Sequence, residues 1–196
     1  MSAKNLLLSA VLAGCLPMMG WAQGVGRNVP ADKSNMPSQL SAGDQQFVQE
    51  AAKGDAAEIE LGQLAESKAA NPDVKAFGER MVTDHSKNRD EVRMLADKEH
   101  VTLPTKLGEK ENAQKEKLQA LSGSQFDKAY MSYMVSEHKT DVMKFKEAAS
   151  NAQDPSVKQF AEQSLPVLQS HLREAQQVDV KVKSGNSGMG ESATAK

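Results

Sequence analysis

Apolar residues recur at three- and four-residue spacing along nearly the whole middle of this chain, in four runs separated by proline-bearing breaks. That spacing places each run on one face of an α-helix. The first run, Phe47, Ala51, Gly54, Glu58, Leu61 and Ala65, predicts a helix from about Asp44 to Ala70. Asn71-Pro72 ends it and opens the next, whose stripe is Val74, Phe77, Met81, His85, Val92 and Leu95, reaching about His100. Proline is favoured at a first helical position because its missing N–H has no intrahelical partner there. A third helix, about Ser124 to Ser150, carries Phe126, Tyr130, Met134, His138, Val142 and Phe145. Asp154-Pro155 starts a fourth, with Val157, Phe160, Ala161, Ser164, Leu168, His171 and Ala175 inward and Pro166 expected to bend it locally.

No such stripe is buried by one helix alone, so the reading is an all-α four-helix bundle. Composition agrees: one Ile and five Thr stand against 25 Ala, the reverse of a β-rich bias. Phe47, Phe77, Phe126, Phe145 and Phe160 are predicted to share one core, with Met81, Met131, Met134 and Met143 packing beside them.

The second and third long helices are joined by residues 101–123, which begin with a Leu103-Pro104 break and continue through a strongly charged stretch, 107–121. A helix this polar belongs on a surface. Fifteen helical residues rise about 22 Å, enough to return the chain along a bundle. One crossover of this kind is the ferritin-like arrangement. No repeat of solenoid period is evident. The expected domain is therefore residues 44–178, preceded by a Gly/Pro/Ser-rich leader, 23–43, and followed by a loose tail, 179–196.

Residues 1–22 read as a secretory signal: Lys4, a short apolar run over Leu6–Ala13, and small residues at Gly20 and Ala22. That places the mature protein in the periplasm or otherwise outside the cytoplasm. The alternative uses Leu12-Ala13-Gly14-Cys15 as a lipoprotein box, lipidates Cys15, and anchors the protein in the outer membrane. A membrane is a partner only in that alternative. The 24 basic and 26 acidic side chains balance to a net charge of -2, which excludes the basic footprint of a general nucleic-acid binder. One cysteine excludes disulfide frameworks and multi-cysteine metal motifs. No protein partner is specified by the sequence.

The informative feature is polarity on apolar stripes. Three of the four His, His85, His138 and His171, lie mid-helix on inward faces, and Glu58 does the same on the first helix. Reflecting the helices through their turns puts Glu58 opposite His85, and His171 opposite Met134, one turn from His138. Interior imidazole and carboxylate groups must be hydrogen-bonded or metal-bound. Three His and a carboxylate are an adequate ligand set for a divalent transition metal such as zinc, copper or iron. Asp84, Glu137 and Asp141 stand beside the His positions as supporting groups or extra ligands. The competing reading is a purely structural network, with Tyr130 or Tyr133 as hydrogen-bond partner and His171 serving a carbonyl freed by Pro166. His100, at the end of its helix, is expected to be solvated.

The runs Met81-Val82-Thr83-Asp84-His85, Phe126-Asp127-Lys128-Ala129-Tyr130 with His138, and Leu165-Pro166-Val167-Leu168 with His171-Leu172 resemble a bacterial secreted family of unknown function. The resemblance covers about residues 44–178. It implies export and a place in the ferritin-like superfamily, whose members here are labelled outer-membrane or periplasmic proteins, and it supplies no activity. The chain departs from di-iron carboxylate proteins, which carry Glu three residues before His. Those positions hold Val82, Asp97, Val135 and Leu168. The functional expectation is thus a non-enzymatic envelope or stress-related bundle that binds a metal or a partner. A metal-dependent redox enzyme on the same scaffold is the alternative.

The N-terminal pattern predicts a mature chain that starts at Gln23. Mass spectrometry of the exported protein checks this, and a lipid-bearing Cys15 selects the anchored form instead.

Overall fold

The computed structural model describes residues 38–185. Five helices follow in order: α1 (Ala42–Lys68), α2 (Pro72–Lys98), α3 (Glu109–Gln119), α4 (Gly123–Asn151) and α5 (Pro155–Ser184). Their ends are set by local chemistry. Ser41 Oγ accepts the Asp44 N–H at 3.1 Å, and the Asn71 side chain accepts the Asp73 N–H at 2.8 Å ahead of α2. Asp154 Oδ1 accepts the Ser156 and Val157 N–H groups at 2.7 and 3.2 Å. These side chains satisfy amides that a helix start leaves without partners. At the far end of α2, His100 takes a left-handed conformation (φ 54°) and the Val101 N–H returns to the Ala96 carbonyl at 2.8 Å. The fourth histidine therefore closes a helix, at a position where glycine is usual, and is only partly exposed.

Two buried carboxylates tie the hairpins together. Asp44, at the start of α1, accepts the Gln153 and Asp154 N–H groups of the α4–α5 turn at 3.1 and 2.9 Å. Asp127, at the start of α4, accepts the Ala70 and Asn71 N–H groups of the α1–α2 turn at 3.1 and 3.0 Å. Each hairpin thus caps the turn of the other, which makes α1 and α4 antiparallel neighbours. Lys181 near the end of α5 meets Asp73 at the start of α2 (2.8 Å), so α2 and α5 are antiparallel as well. The connection from α2 to α4 must then run the length of the bundle. It does so along the α1–α4 edge: Lys115 pairs with Glu60 at 2.7 Å, Lys110 with Glu137 at 2.9 Å, and Leu118 is fully buried. This is an all-α four-helix bundle with one long, partly helical crossover. Among the described residues there is no strand, and no helix is long and apolar enough to cross a membrane.

The interior is not one core but two. One apolar cluster gathers Val48, Ala51, Val92, Phe145, Val157 and Phe160, with Phe47 packed partly buried against it. The other gathers Leu61, Ala65, Phe77, Met81, Phe126, Tyr130 and Met134. The expected single core of five Phe is corrected accordingly: Phe47, Phe145 and Phe160 meet on one side, Phe77 and Phe126 on the other. Buried polar side chains, described below, separate them.

Two boundaries and one side chain also differ from expectation. The tail expected from residue 179 is helical to Ser184, because Val182 extends the buried line of Ala175 and Val178 by one more turn. The leader expected through residue 43 is ordered by Leu40, which is buried, and α1 begins at Ala42. Met143 is 64% exposed rather than packed, since it directly follows buried Val142 and so turns to the outer face. The signal segment with Cys15, most of the leader and the last part of the tail lie outside the described residues.

The tightest backbone approach lies between α1 and α2. A Cβ on Gly62 would stand 2.7 Å from the Gly78 carbonyl oxygen, and one on Gly78 would stand 2.8 Å from the Ala65 Cβ and 2.9 Å from the Gly62 oxygen. Only glycine fits both. Gly54, by contrast, has nothing within 4 Å of an added Cβ. Gly78→Ala should therefore destabilise by about 1–3 kcal/mol through overpacking. Gly54→Ala should stabilise by up to about 1 kcal/mol through helix propensity. Denaturant melts of the two variants check the opposite signs.

Candidate metal centre

Between the two apolar clusters lies a layer of buried Asp55, Glu58, His85, His138, His171 and Ser164. Three of the four long helices contribute one imidazole each: α2 gives His85, α4 gives His138 and α5 gives His171. One ring nitrogen from each lies within 4.8 Å of the others. Ring centroids stand 5.3 to 5.8 Å apart. All three are essentially closed to solvent, with His138 at 0% exposure.

The outer nitrogen of every ring faces a carbonyl or carboxyl oxygen, and a carbonyl or an ionised carboxylate, which only accepts, fixes the tautomer. His138 Nδ1 donates to the Met134 carbonyl at 3.0 Å. His171 Nε2 donates to Asp84 Oδ2 at 2.8 Å, and His85 Nδ1 donates to Asp55 Oδ1 at 2.8 Å. Each inner nitrogen is then a lone pair when its ring is neutral. His138 Nε2 and His171 Nδ1 lie 3.3 Å apart with neither holding a proton to give the other. His85 Nε2 is buried without a hydrogen-bond partner among the described residues.

The electrostatics follow from burial. It drives His138 down to about 3, helped by repulsion from His85 and His171. Burial likewise drives His171 down to about 4 against the opposing Asp84 hydrogen bond. Both are neutral at pH 7. His85 behaves differently: burial lowers it, but the Asp55 hydrogen bond and the field of Glu58, Asp55 and Asp141 outweigh that and raise it. His85 is the ring that takes a proton first. For Asp84, burial acts upward, yet the hydrogen bonds from His171 and Arg80 prevail and hold the carboxyl low.

The expected residues fall into place unequally. His85, His138 and His171 come together. Glu58 shares their layer, 4.0 Å from His138 Nδ1, and so sits on the outward side of that ring rather than among the inner nitrogens. Its Oε2 is buried and without a partner among the described residues, and burial pushes its carboxyl up to about 8. Asp84 accepts the His171 Nε2 hydrogen bond. Asp141 is in the same layer, where burial raises it to about 6, and with Asp55 and His85 it lines a cavity of about 30 Å³. Glu137 turns to Lys110 of α3 and stands away from the rings.

Asp55 was not expected. It takes the place opposite His85 that the reflected helices gave to Glu58, one turn away. The signal was present in the i, i+3 pair Asp55–Glu58, but Gly54 occupied the inferred stripe. Asp55 is itself held by Asn88, whose Nδ2 donates to both its oxygens at 3.0 and 2.8 Å, and Ser164 Oγ donates to Asn88 Oδ1 at 2.7 Å. Tyr130, offered as a partner for a ring nitrogen, is not one: its hydroxyl is buried without a partner among the described residues, and its ring stacks on Phe126. His171 bonds Asp84 rather than a carbonyl near Pro166. A cleft of about 440 Å³ between α2 and α5, lined by Arg80, Asp84, His85, Asn88, Ser164 and His171 among others, reaches the layer from outside.

An antiparallel helical bundle with one crossover and a buried three-histidine layer is thus the class of protein defined here. The chain belongs to the family described as "Domain of unknown function (DUF4142)", which it matches over residues 29–178. Its fold is similar to that in a structure titled "Crystal structure of DUF305 fragment from Deinococcus radiodurans", with a TM-score of 0.65 at 14% identity, covering 74% of this chain and 99% of that one. At that identity the likeness concerns the fold. No curated protein matches the chain.

Glu58 sets a measurable pH dependence. Between the unperturbed value of 4.5 and about 8, the folded protein holds a proton on Glu58 that the unfolded chain releases, so this group's contribution to stability falls as pH rises through that window. Glu58→Gln keeps the shape of the protonated carboxyl and removes the titration. In metal-free protein the variant should match wild type near pH 4.5 and exceed it by up to a few kcal/mol near pH 8. Urea unfolding across that range checks it.

Proposed function

We propose that this protein is a metal-binding helical bundle, in which His85 Nε2, His138 Nε2 and His171 Nδ1 hold one divalent transition-metal ion. The observation that carries the reading is the pair of lone pairs on His138 and His171, facing each other at 3.3 Å with no proton between them. Two imidazole nitrogens on a tetrahedral zinc, at about 2.0–2.1 Å each, stand about 3.3 Å apart. His85 joins them as the third donor, since one ring nitrogen from each of the three residues falls within 4.8 Å of the others. An all-imidazole donor set suits zinc or copper, and copper(II) stands above zinc in general affinity order.

Asp55, Asp84 and the Met134 carbonyl would act as the groups that orient ligands, each bonding the nitrogen opposite the metal. A ligating imidazole must be neutral, so protonation of His85, which its carboxyl neighbours favour, weakens binding as pH drops. Glu58 would add negative charge beside the same ion only on giving up its own proton. The apolar N-terminal run and Lys4 support placing this centre outside the cytoplasm, on a soluble periplasmic protein, or at the outer membrane should Cys15 carry lipid. The reading is of a protein that holds a metal in the envelope, and it requires no reaction.

Titration of metal-free protein with zinc and with copper(II) tests it. Wild type should bind one ion per chain. Asp55→Asn and Asp84→Asn should weaken binding by about 10–100-fold, and His85→Ala, His138→Ala or His171→Ala by more. Wild type that binds no better than the His→Ala variants would leave the layer as a structural network.

A further inference from the structure

We infer that Asn88 is a positioning residue of the centre: acting through Asp55, it fixes which nitrogen His85 turns toward the other two rings, and so which nitrogen holds the ion. The last clause rests on the metal reading above, which this inference deepens. It starts from a gap in a stripe. Along α2 the inward residues Phe77, Met81, His85, Val92 and Leu95 follow three- and four-residue spacing except for the seven between His85 and Val92. Position 88 is the missing inward step. It holds a partly buried amide where packing alone would favour Leu.

Both polar atoms of that side chain are committed. Nδ2 stands before the two oxygens of Asp55, at 3.0 and 2.8 Å, and Oδ1 accepts from Ser164 Oγ at 2.7 Å. Chemistry decides the orientation of the amide, since turning it over would set Oδ1 against both carboxyl oxygens. Ser164 has one hydroxyl proton and two acceptors, Asn88 Oδ1 and the Phe160 carbonyl at 3.0 Å. It gives the proton to Asn88, because two oxygens 2.7 Å apart would otherwise meet with no proton between them.

A chain of hydrogen bonds thus crosses three helices, from Ser164 on α5 to Asn88 on α2, to Asp55 on α1, and back to His85 on α2. Asp55 meets His85 Nδ1 at 2.8 Å. With an N–H donor before both of its oxygens, Asp55 serves that nitrogen as an acceptor. The ring's proton then lies on Nδ1, and a bare Nε2 is left for the centre. Outer partners of this kind set the tautomer and orientation of metal-bound imidazoles. Asn88 does so without charge. Asp84, the other supporting carboxylate, is held by the Arg80 cation at a part-exposed position. Asp55 is 3% exposed, and its donors among the described residues are the amide and the ring. A neutral donor orients this carboxylate and leaves its charge to the ion.

Long-range proton–nitrogen NMR of the metal-free full chain, at alkaline pH where the rings are neutral, tests the inference beside zinc titration. Wild type should show His85 and His138 as Nδ1–H tautomers and His171 as Nε2–H. Asn88→Leu, close in shape and without the amide, should turn His85 into a mixture of both neutral tautomers while His138 and His171 keep theirs. The same variant should still bind one zinc per chain, roughly tenfold more weakly. Ser164→Ala should move both readings the same way by less. Asn88→Leu that melts earlier yet keeps His85 wholly Nδ1–H and zinc affinity at wild type would reduce Asn88 to a structural link and overturn the inference. Should Asn88→Leu fail to fold, unchanged His85 nitrogen shifts and zinc affinity in Ser164→Ala overturn it instead. A wild type that takes up no zinc defeats the metal reading, and the tautomers of the metal-free chains still decide the role of Asn88.

Discussion

Three imidazoles meet in the middle of this bundle with their protonated nitrogens facing outward and their lone pairs facing in. The remainder of the architecture can be read as the means of holding them so. Burying a polar group without a partner costs on the order of a few kcal/mol, and this layer contains His85 Nε2 and Glu58 Oε2 in that state. It also interrupts what would otherwise be one continuous apolar interior, leaving two clusters that each must fold against the layer. A bundle selected for stability alone would place Leu at such positions, as α5 does one turn earlier at Leu168. A proton on His85 relieves part of the deficit and leaves its own Nε2–H without an acceptor. A shared cation relieves all three inner nitrogens together.

Rigidity of that arrangement comes from the two hairpins, which follow the same plan. Asp44 and Asp127 open α1 and α4, and each caps the other hairpin's turn. Asn71-Pro72 matches Asp154-Pro155, and Val74-Lys75-Ala76-Phe77 matches Val157-Lys158-Gln159-Phe160 at the same offset. Carrying that offset into the layer pairs Asp55 with His138 and Glu58 with Asp141. The two halves therefore offer equivalent backbone positions to the centre and fill them with complementary chemistry, carboxylate on α1 and imidazole or a second carboxylate on α4. At the position of His85, α5 carries Leu168, and at the position of His171, α2 carries Asn88, which instead supports Asp55.

That pattern explains what could be read from the chain beforehand. Helix number, order and turns were legible because proline and capping residues mark each junction and the apolar spacing is nearly unbroken. The three histidines were legible because a ring on an apolar stripe must face inward. Their acceptors were harder. Choosing between Asp55 and Glu58 requires knowing the rotation of α1 to within one helical turn, and a stripe containing Gly54 does not define it. Gly62 and Gly78 set that rotation by bringing the α1 and α2 backbones together, a contact between residues that carry no hydrophobic signal. Glu137 was misplaced for a related reason: its orientation depends on Lys110, and the side of the bundle along which the crossover passes is not written in its charged, weakly periodic sequence.

Polarity of the two sides of the layer then bears on how the centre communicates with solvent. On the α1–α4 side it is backed by buried Glu58 and half-buried Asp141, which desolvation holds toward their protonated forms. On the α2–α5 side Arg80 binds Asp84, Glu174 and Ser170 at once, and Asp84 in turn accepts from His171. A cation reaching the rings from the cleft passes a carboxylate already neutralised by Arg80, whereas from the opposite side it meets groups that gain their charge only as protons leave. The layer is thus backed on the α1–α4 side by carboxyls that burial holds toward their protonated forms, and on the α2–α5 side by a carboxylate that Arg80 and His171 hold ionised.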